Sequence, residues 1–209
     1  MIDKSVKLDQ LVDFDVFEIA LTDYLKECYS EEYITEQLRI NISGENRIKK
    51  GLRIVNKVIK NNPLDKLLIN NKEEVLHAMN NQNDKRIIIV SLLNSSYSFA
   101  FYLLRIFGKF FNVQNVVSIK VIQKEISKVY GGNRVAVNGI YCVGPIFEKA
   151  GIYSKAGQGL YQFNGKIPIS SNIAKNLFLE SFKVNMNDNA INDQNIFDPY
   201  FIWCLESLC

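Results

Sequence analysis

Three side chains in this sequence join a base-reading chemistry to a spacing that one surface can present: Arg134, Asn138 and Tyr141. On a helix they fall at i, i+4 and i+7, a single face. In a major groove Arg pairs with guanine and Asn with adenine through two hydrogen bonds each. Tyr reaches a phosphate or packs on a sugar. Asn133 stands just before them, placed to cap the helix, and belongs to the same DNA-facing set. Ala136, Ile140, Val143 and Phe147 follow spacings of four, three and four and supply the buried back of the helix. Downstream, Lys155 and Gln158 flank a glycine-rich turn, where a hairpin tip would touch backbone or minor groove.

A second cationic set lies upstream. Arg47, Lys49, Lys50, Arg53, Lys57 and Lys60 run without an interrupting acid, while Ile48, Leu52, Val55 and Ile59 recur at helical spacing. Such a helix would lie along phosphates, where each neutralised charge releases counterions and makes affinity fall with salt. Two other readings stand beside this one. The face could be solvated and paired with Glu31, Glu32, Glu73 or Glu74, or it could rest on a membrane surface, although its apolar side lacks Trp and Phe.

Catalytic chemistry is poorly represented. His77 is the only histidine, which removes most acid–base triads and histidine metal sites. There is no phosphate-binding glycine loop and no dinucleotide fingerprint. Asp13 with Asp15, or Glu73 with Glu74, would suit magnesium, but none is followed by lysine at the spacing of a nuclease core. The sequence reads as a non-enzyme with no cofactor, no metal and no small-molecule substrate.

The elements that must hold these side chains follow from residues 112–169. Ser118 caps a helix whose stripe is Ile119, Ile122, Ile126 and Val129, with Lys120, Lys124 and Lys128 on another face. Gly131-Gly132 ends it. The second helix starts near Arg134 and either kinks at Gly144-Pro145 or stops at Val143 and restarts, since proline loses an N–H and clashes one turn back. Gly151 ends it, and Ile152 to Lys155 with Leu160 to Phe163 makes a hairpin around Ala156-Gly157-Gln158-Gly159. Helix, turn, helix, hairpin is the order of a winged helix-turn-helix, whose second helix enters the major groove. Winged helices also bind proteins or only build a core, so the order leaves function open.

Upstream, residues 1–111 read as a helical bundle. Its helices cover 12–28, a stretch from about Ser30, 45–60, 65–79 and a long apolar one at 85–111, with 80–83 as a polar connector. Residues 170–209 form a helical extension: a helix capped by Ser170 or Ser171 and running to about Lys183, a loop at 185–195, and a tail at 197–208 whose Trp203 docks on the body. The fold class expected is mainly α, with a bundle at 1–111, a winged helix-turn-helix at 112–169 and the extension at 170–209.

At 209 residues, with 47% hydrophobic and 11% aromatic content, the chain can bury a substantial core. A net charge of +3 says little about partners, so charge position matters more. Cys28, Cys142, Cys204 and Cys209 are scattered, and Asp3, Lys4 and Asp9 interrupt any apolar run at the N-terminus. Reduced thiols in a cytoplasm follow. Residues 87–107 approach spanning length, but Ser91, Asn94, Ser95, Ser96, Ser98 and Arg105 would need partners inside a bilayer. A buried central helix is favoured over a membrane span.

Taken together, the basic stretch ENRIKKGLRIVNKVIKNN at 45–62, the apolar helix at 85–111 and a winged-helix-like segment ending in EKAGIY at 148–153 give a layout that resembles the BrxA family of small accessory proteins of BREX phage-defence systems. The resemblance covers about three quarters of the chain and contains no catalytic motif. It implies a non-enzymatic, cytoplasmic component of a defence complex, with double-stranded DNA and larger defence-complex proteins as partners. The alternative is a protein-interaction adaptor that docks a larger enzyme through the same helix and hairpin.

Overall fold

The computed structural model describes residues 5–132, 134–186 and 197–204. It is mainly helical with one small antiparallel sheet. The first half comprises α1 (Phe14–Leu25), α2 (Glu31–Asn41), α3 (Glu45–Ile59), α4 (Asp65–Asn70), α5 (Lys72–Ala78) and α6 (Gln82–Ser96). Their starts follow local chemistry: Ser30 accepts from the Tyr33 amide, and Asn81 accepts from the amides of Asn83 and Asp84. On α3 the buried residues are Ile48, Gly51, Ile54, Val55, Val58 and Ile59, with Leu52 at the margin.

Two expected helices are each divided. The 65–79 stretch breaks at Asn71, whose φ of −123° is not helical and whose side chain donates back to the Leu67 carbonyl. The 85–111 stretch breaks at Tyr97 (φ −135°, ψ 103°), so α6 is followed by a separate α7 (Ser98–Phe111). Tertiary contacts surround the second break. Asn62, from the link after α3, inserts beside the end of α6 and donates to the carbonyls of Val58 and Leu92 and to Ser96 Oγ. Its own oxygen accepts from the Leu64 amide and the Ser95 hydroxyl. Ser91, Ser95 and Ser96, which interrupt the apolar run, thus have protein partners. Among the described residues no helix is long and apolar enough to cross a membrane.

After α7 come β1 (Val116–Ser118), α8 (Ile119–Tyr130), α9 (Arg134–Lys149), β2 (Tyr153–Gly157), β3 (Leu160–Phe163) and α10 (Asn172–Met186). The sheet order is β1-β3-β2, with Val117 opposite Tyr161 and Tyr153 opposite Phe163. β1 was not foreseen. α9 runs through Pro145 as one helix, and Pro145 lies on its exposed side, where water can reach the Tyr141 carbonyl that proline leaves without a donor.

The sequence 170–186 builds α10 with help from α6. Asp84, almost fully buried, accepts from the amides of Ser170 and Ser171 at the helix start, and Ser171 Oγ accepts from the Ala174 amide. α10 extends to Met186, so the expected loop begins later, and its residues 187–195 lie outside the described residues. α10 packs along α6, and the core runs without interruption from Val6 to Cys204. The tail docks as expected as far as Cys204. Trp203 is fully buried and donates to the Ile152 carbonyl, Tyr200 stacks on Phe178, and Arg105 grips Asp198. Residues 205–208 lie outside the described residues.

Candidate nucleic-acid interface

α8 and α9 are delimited by the residues that sequence patterning selected. The Ser118 hydroxyl accepts from the Lys120 amide, and Gly131 ends α8 with φ at +79°, a conformation that a side chain disfavours. α9 buries Ala136, Gly139, Ile140, Cys142, Val143, Gly144, Ile146 and Phe147. Gly139 marks its closest approach to the body: a Cβ there would lie 2.5 Å from Val6 Cγ1 and 2.7 Å from the Phe99 ring.

Arg134, Asn138 and Tyr141 are all exposed on the opposite face, Tyr141 at 57%. Val135 joins them at 55%. Arg134 and Asn138 make no side-chain hydrogen bond or ion pair among the described residues. Asn133 lies outside the described residues.

The hairpin follows directly from α9 and stays beside it. Tyr153 donates its hydroxyl to the Gly144 carbonyl at 2.9 Å, and its ring packs on Phe107 and Tyr161. Burial pushes the Tyr161 hydroxyl up; Lys155 opposes this, and Glu148 and Tyr141 push the same way, so these side chains share one neighbourhood. Lys155 forms an ion pair with Glu148 at 2.9 Å, and this pairing raises the Lys155 pKa. Gln158 is exposed at the tip beside a β-bulge between Lys155 and Gly157.

The basic helix α3 is less open than its sequence suggests. Lys50 and Arg53 both hold Asp9, at 2.8 and 2.9 Å, through different carboxylate oxygens. Arg47 donates to Gln10 Oε1 at 3.1 Å. Lys57 lies over the Tyr97 ring, and Lys60 pairs with Glu31. Lys49 is exposed. Of the four acids expected to pair with this face, Glu31 does so; Glu32, Glu73 and Glu74 form no salt bridge with it among the described residues. Burial works to raise the Asp9 pKa, but the bond and charge of Lys50 and the charge of Arg53 hold it below the usual carboxylate range.

The segment 5–12 links this helix to α9. Val6 abuts Gly139 on α9, while Asp9 and Gln10 reach α3. Burial pushes the Cys142 thiol up to about 11, with Asp9 adding to the rise and Arg47 opposing it. Arg47 therefore lies within electrostatic reach of α9. Sequence reasoning did not identify Asp9, Gln10 or Glu148. Asp9 is 44 residues from Arg53 and sits in an irregular segment, so no periodicity points to it.

Comparison of the chain with protein-family models, with curated proteins and with solved structures found no match.

Proposed function

We propose that the protein is a non-enzymatic, cytoplasmic double-stranded DNA-binding accessory protein, in which residues 112–169, together with α7 before them, form a winged helix-turn-helix. In this reading α7 is the first helix, α8 and α9 the helix-turn-helix pair, and β2–β3 the wing, with β1 added to the hairpin as a third strand. The observation that carries it is the solvent-facing stripe of Arg134, Asn138 and Tyr141 on α9, backed by a fully packed opposite face. At about 1.5 Å rise per residue the stripe spans ~10 Å, which matches roughly three base steps. Lys155 and Gln158 make the wing contact, and Arg47, Lys49, Lys50, Arg53 and Lys57 supply phosphate contacts. The resemblance of its layout to the BrxA family extends the proposal to a place in a bacterial phage-defence complex.

A second reading has its own support. Val135, Tyr141 and Pro145 give α9 an exposed apolar character, and Lys155 is tied to Glu148. Both features suit an adaptor that docks a larger protein through α9. A fluorescence-anisotropy titration against a random duplex at two salt concentrations separates the two. DNA binding predicts affinity that falls steeply with salt, by a slope of about −0.9 per neutralised phosphate. The adaptor predicts no binding at low salt and capture of a partner protein instead.

A further inference from the structure

Resting on the DNA-binding reading, we propose that Lys50 and Arg53 form a phosphate subsite whose resident anion is the protein's own Asp9, so that the N-terminal segment competes with nucleic acid for α3. Asp9 bridges the two cations with one oxygen each, at 2.8 Å to Lys50 and 2.9 Å to Arg53. Two oxygens of a phosphate make the same bridge, with charge-assisted bonds of the same length. The neighbouring Arg47 is held in a similar way by the neutral Gln10 oxygen.

The segment is built to present this carboxylate. Val6, Leu8 and Val12 are buried on either side of it, and Lys7 between them adopts φ of +48°, an uncommon backbone for a non-glycine residue. A Leu8 amide bond to the Val6 carbonyl closes the tight turn. Asp9 is thereby directed at α3 rather than left to solvent. Stability is a poor reason for the contact, because all three side chains remain 40–62% exposed and such pairs contribute little. The same exposure leaves room for a phosphate to approach and take the place of the carboxylate. The basic face of α3 is therefore held at reduced strength, and α9 with the hairpin dominates binding until Asp9 is displaced.

The test is a double-mutant cycle on the full chain, read by anisotropy with a random duplex and by calorimetry with linear inorganic polyphosphate. Asp9→Asn is expected to tighten duplex binding about three- to tenfold at 50 mM salt. One extra phosphate contact also means that this advantage shrinks about threefold by 200 mM. Lys50→Gln is expected to cost twofold or less in the wild type, where Asp9 already occupies it, and several-fold in the Asp9→Asn background. Asp9→Ser, which removes the charge with a smaller side chain, must move affinity in the same direction. Equal or weaker binding by both Asp9 variants, or an equal Lys50→Gln cost in both backgrounds, overturns the proposal. If the Asp9 variants bind polyphosphate more tightly than wild type while no form binds duplex, the subsite stands and the DNA-binding reading falls. No gain with either probe removes the subsite.

Discussion

Replacing Gly139 with alanine tests whether α9 is seated on the body as described. The new methyl would fall 2.5 Å from Val6 Cγ1 and 2.7–2.8 Å from two carbons of the Phe99 ring. Phe99 cannot retreat easily: it is fully buried and meets Tyr130 edge-on at 5.0 Å between ring centroids. Val6 sits in an irregular segment and can give more. Overpacking a site of this kind costs about 1–3 kcal/mol, and alanine's better helix propensity returns ~0.5–1 kcal/mol. With three contacts under 3.0 Å the cost falls at about 2–3 kcal/mol, and subtracting ~1 kcal/mol leaves a net loss of about 1–2 kcal/mol. For a chain of this size that lowers Tm by about 2–8 °C. Gly132→Ala is the control, since a Cβ there meets only Ser127 Cβ, at 4.0 Å. It should melt within a degree or two of wild type. Thermal unfolding followed by circular dichroism reads both. A Gly139→Ala protein that melts at or above wild type would mean that α9, the N-terminal segment and α7 do not meet as described.

Other outcomes follow from the same contacts. Arg134→Ala should leave Tm unchanged, since the side chain is exposed and unpaired among the described residues, while discrimination at one base pair falls by about 1–3 kcal/mol in competition binding. Asn62→Ala should cost about 1–3 kcal/mol in urea unfolding, because the Leu64 amide loses its acceptor inside the core, while the Ser95 hydroxyl keeps the Leu92 carbonyl. Asp9 has a folded pKa below its unfolded value, so its stabilising contribution is complete above pH ~3.9 and is lost as pH falls through the lower folded value. Asp9→Asn should therefore lower Tm slightly across the neutral region, where that small contribution is complete, and converge on wild type at the acid end, which flattens the acid limb of a Tm–pH profile.

The parts of this molecule that were legible in its sequence are those set by neighbours in the chain. Ser118, Gly131 and Gly151 bound α8 and α9 because capping and left-handed glycine are local chemistry, and the exposed stripe of α9 follows from helical spacing. β1 was not legible: three residues carry no turn signal of their own, and Val117 finds its partner Tyr161 only after two helices have intervened. The break at Tyr97 was hidden for a related reason. An apolar run of helical period reads as one helix, and its spacing does not reveal that Asn62, from a distant link, meets the polar groups in the last turns of α6. The candidate site divides along the same line. The directions of Arg134, Asn138 and Tyr141 could be read from spacing, whereas the neutralisation of Lys50 and Arg53 by Asp9 depends on a fold that brings an irregular segment onto a helix.

The central claim is that the exposed face of α9 and the adjoining hairpin contact DNA. Backbone-amide chemical-shift mapping during titration with a short duplex tests it most directly. The account predicts perturbations concentrated at residues 134–141 and 155–160, with smaller ones on α3 and none on α5. Perturbations confined to other surfaces, or none at a duplex concentration that saturates anisotropy, would contradict it.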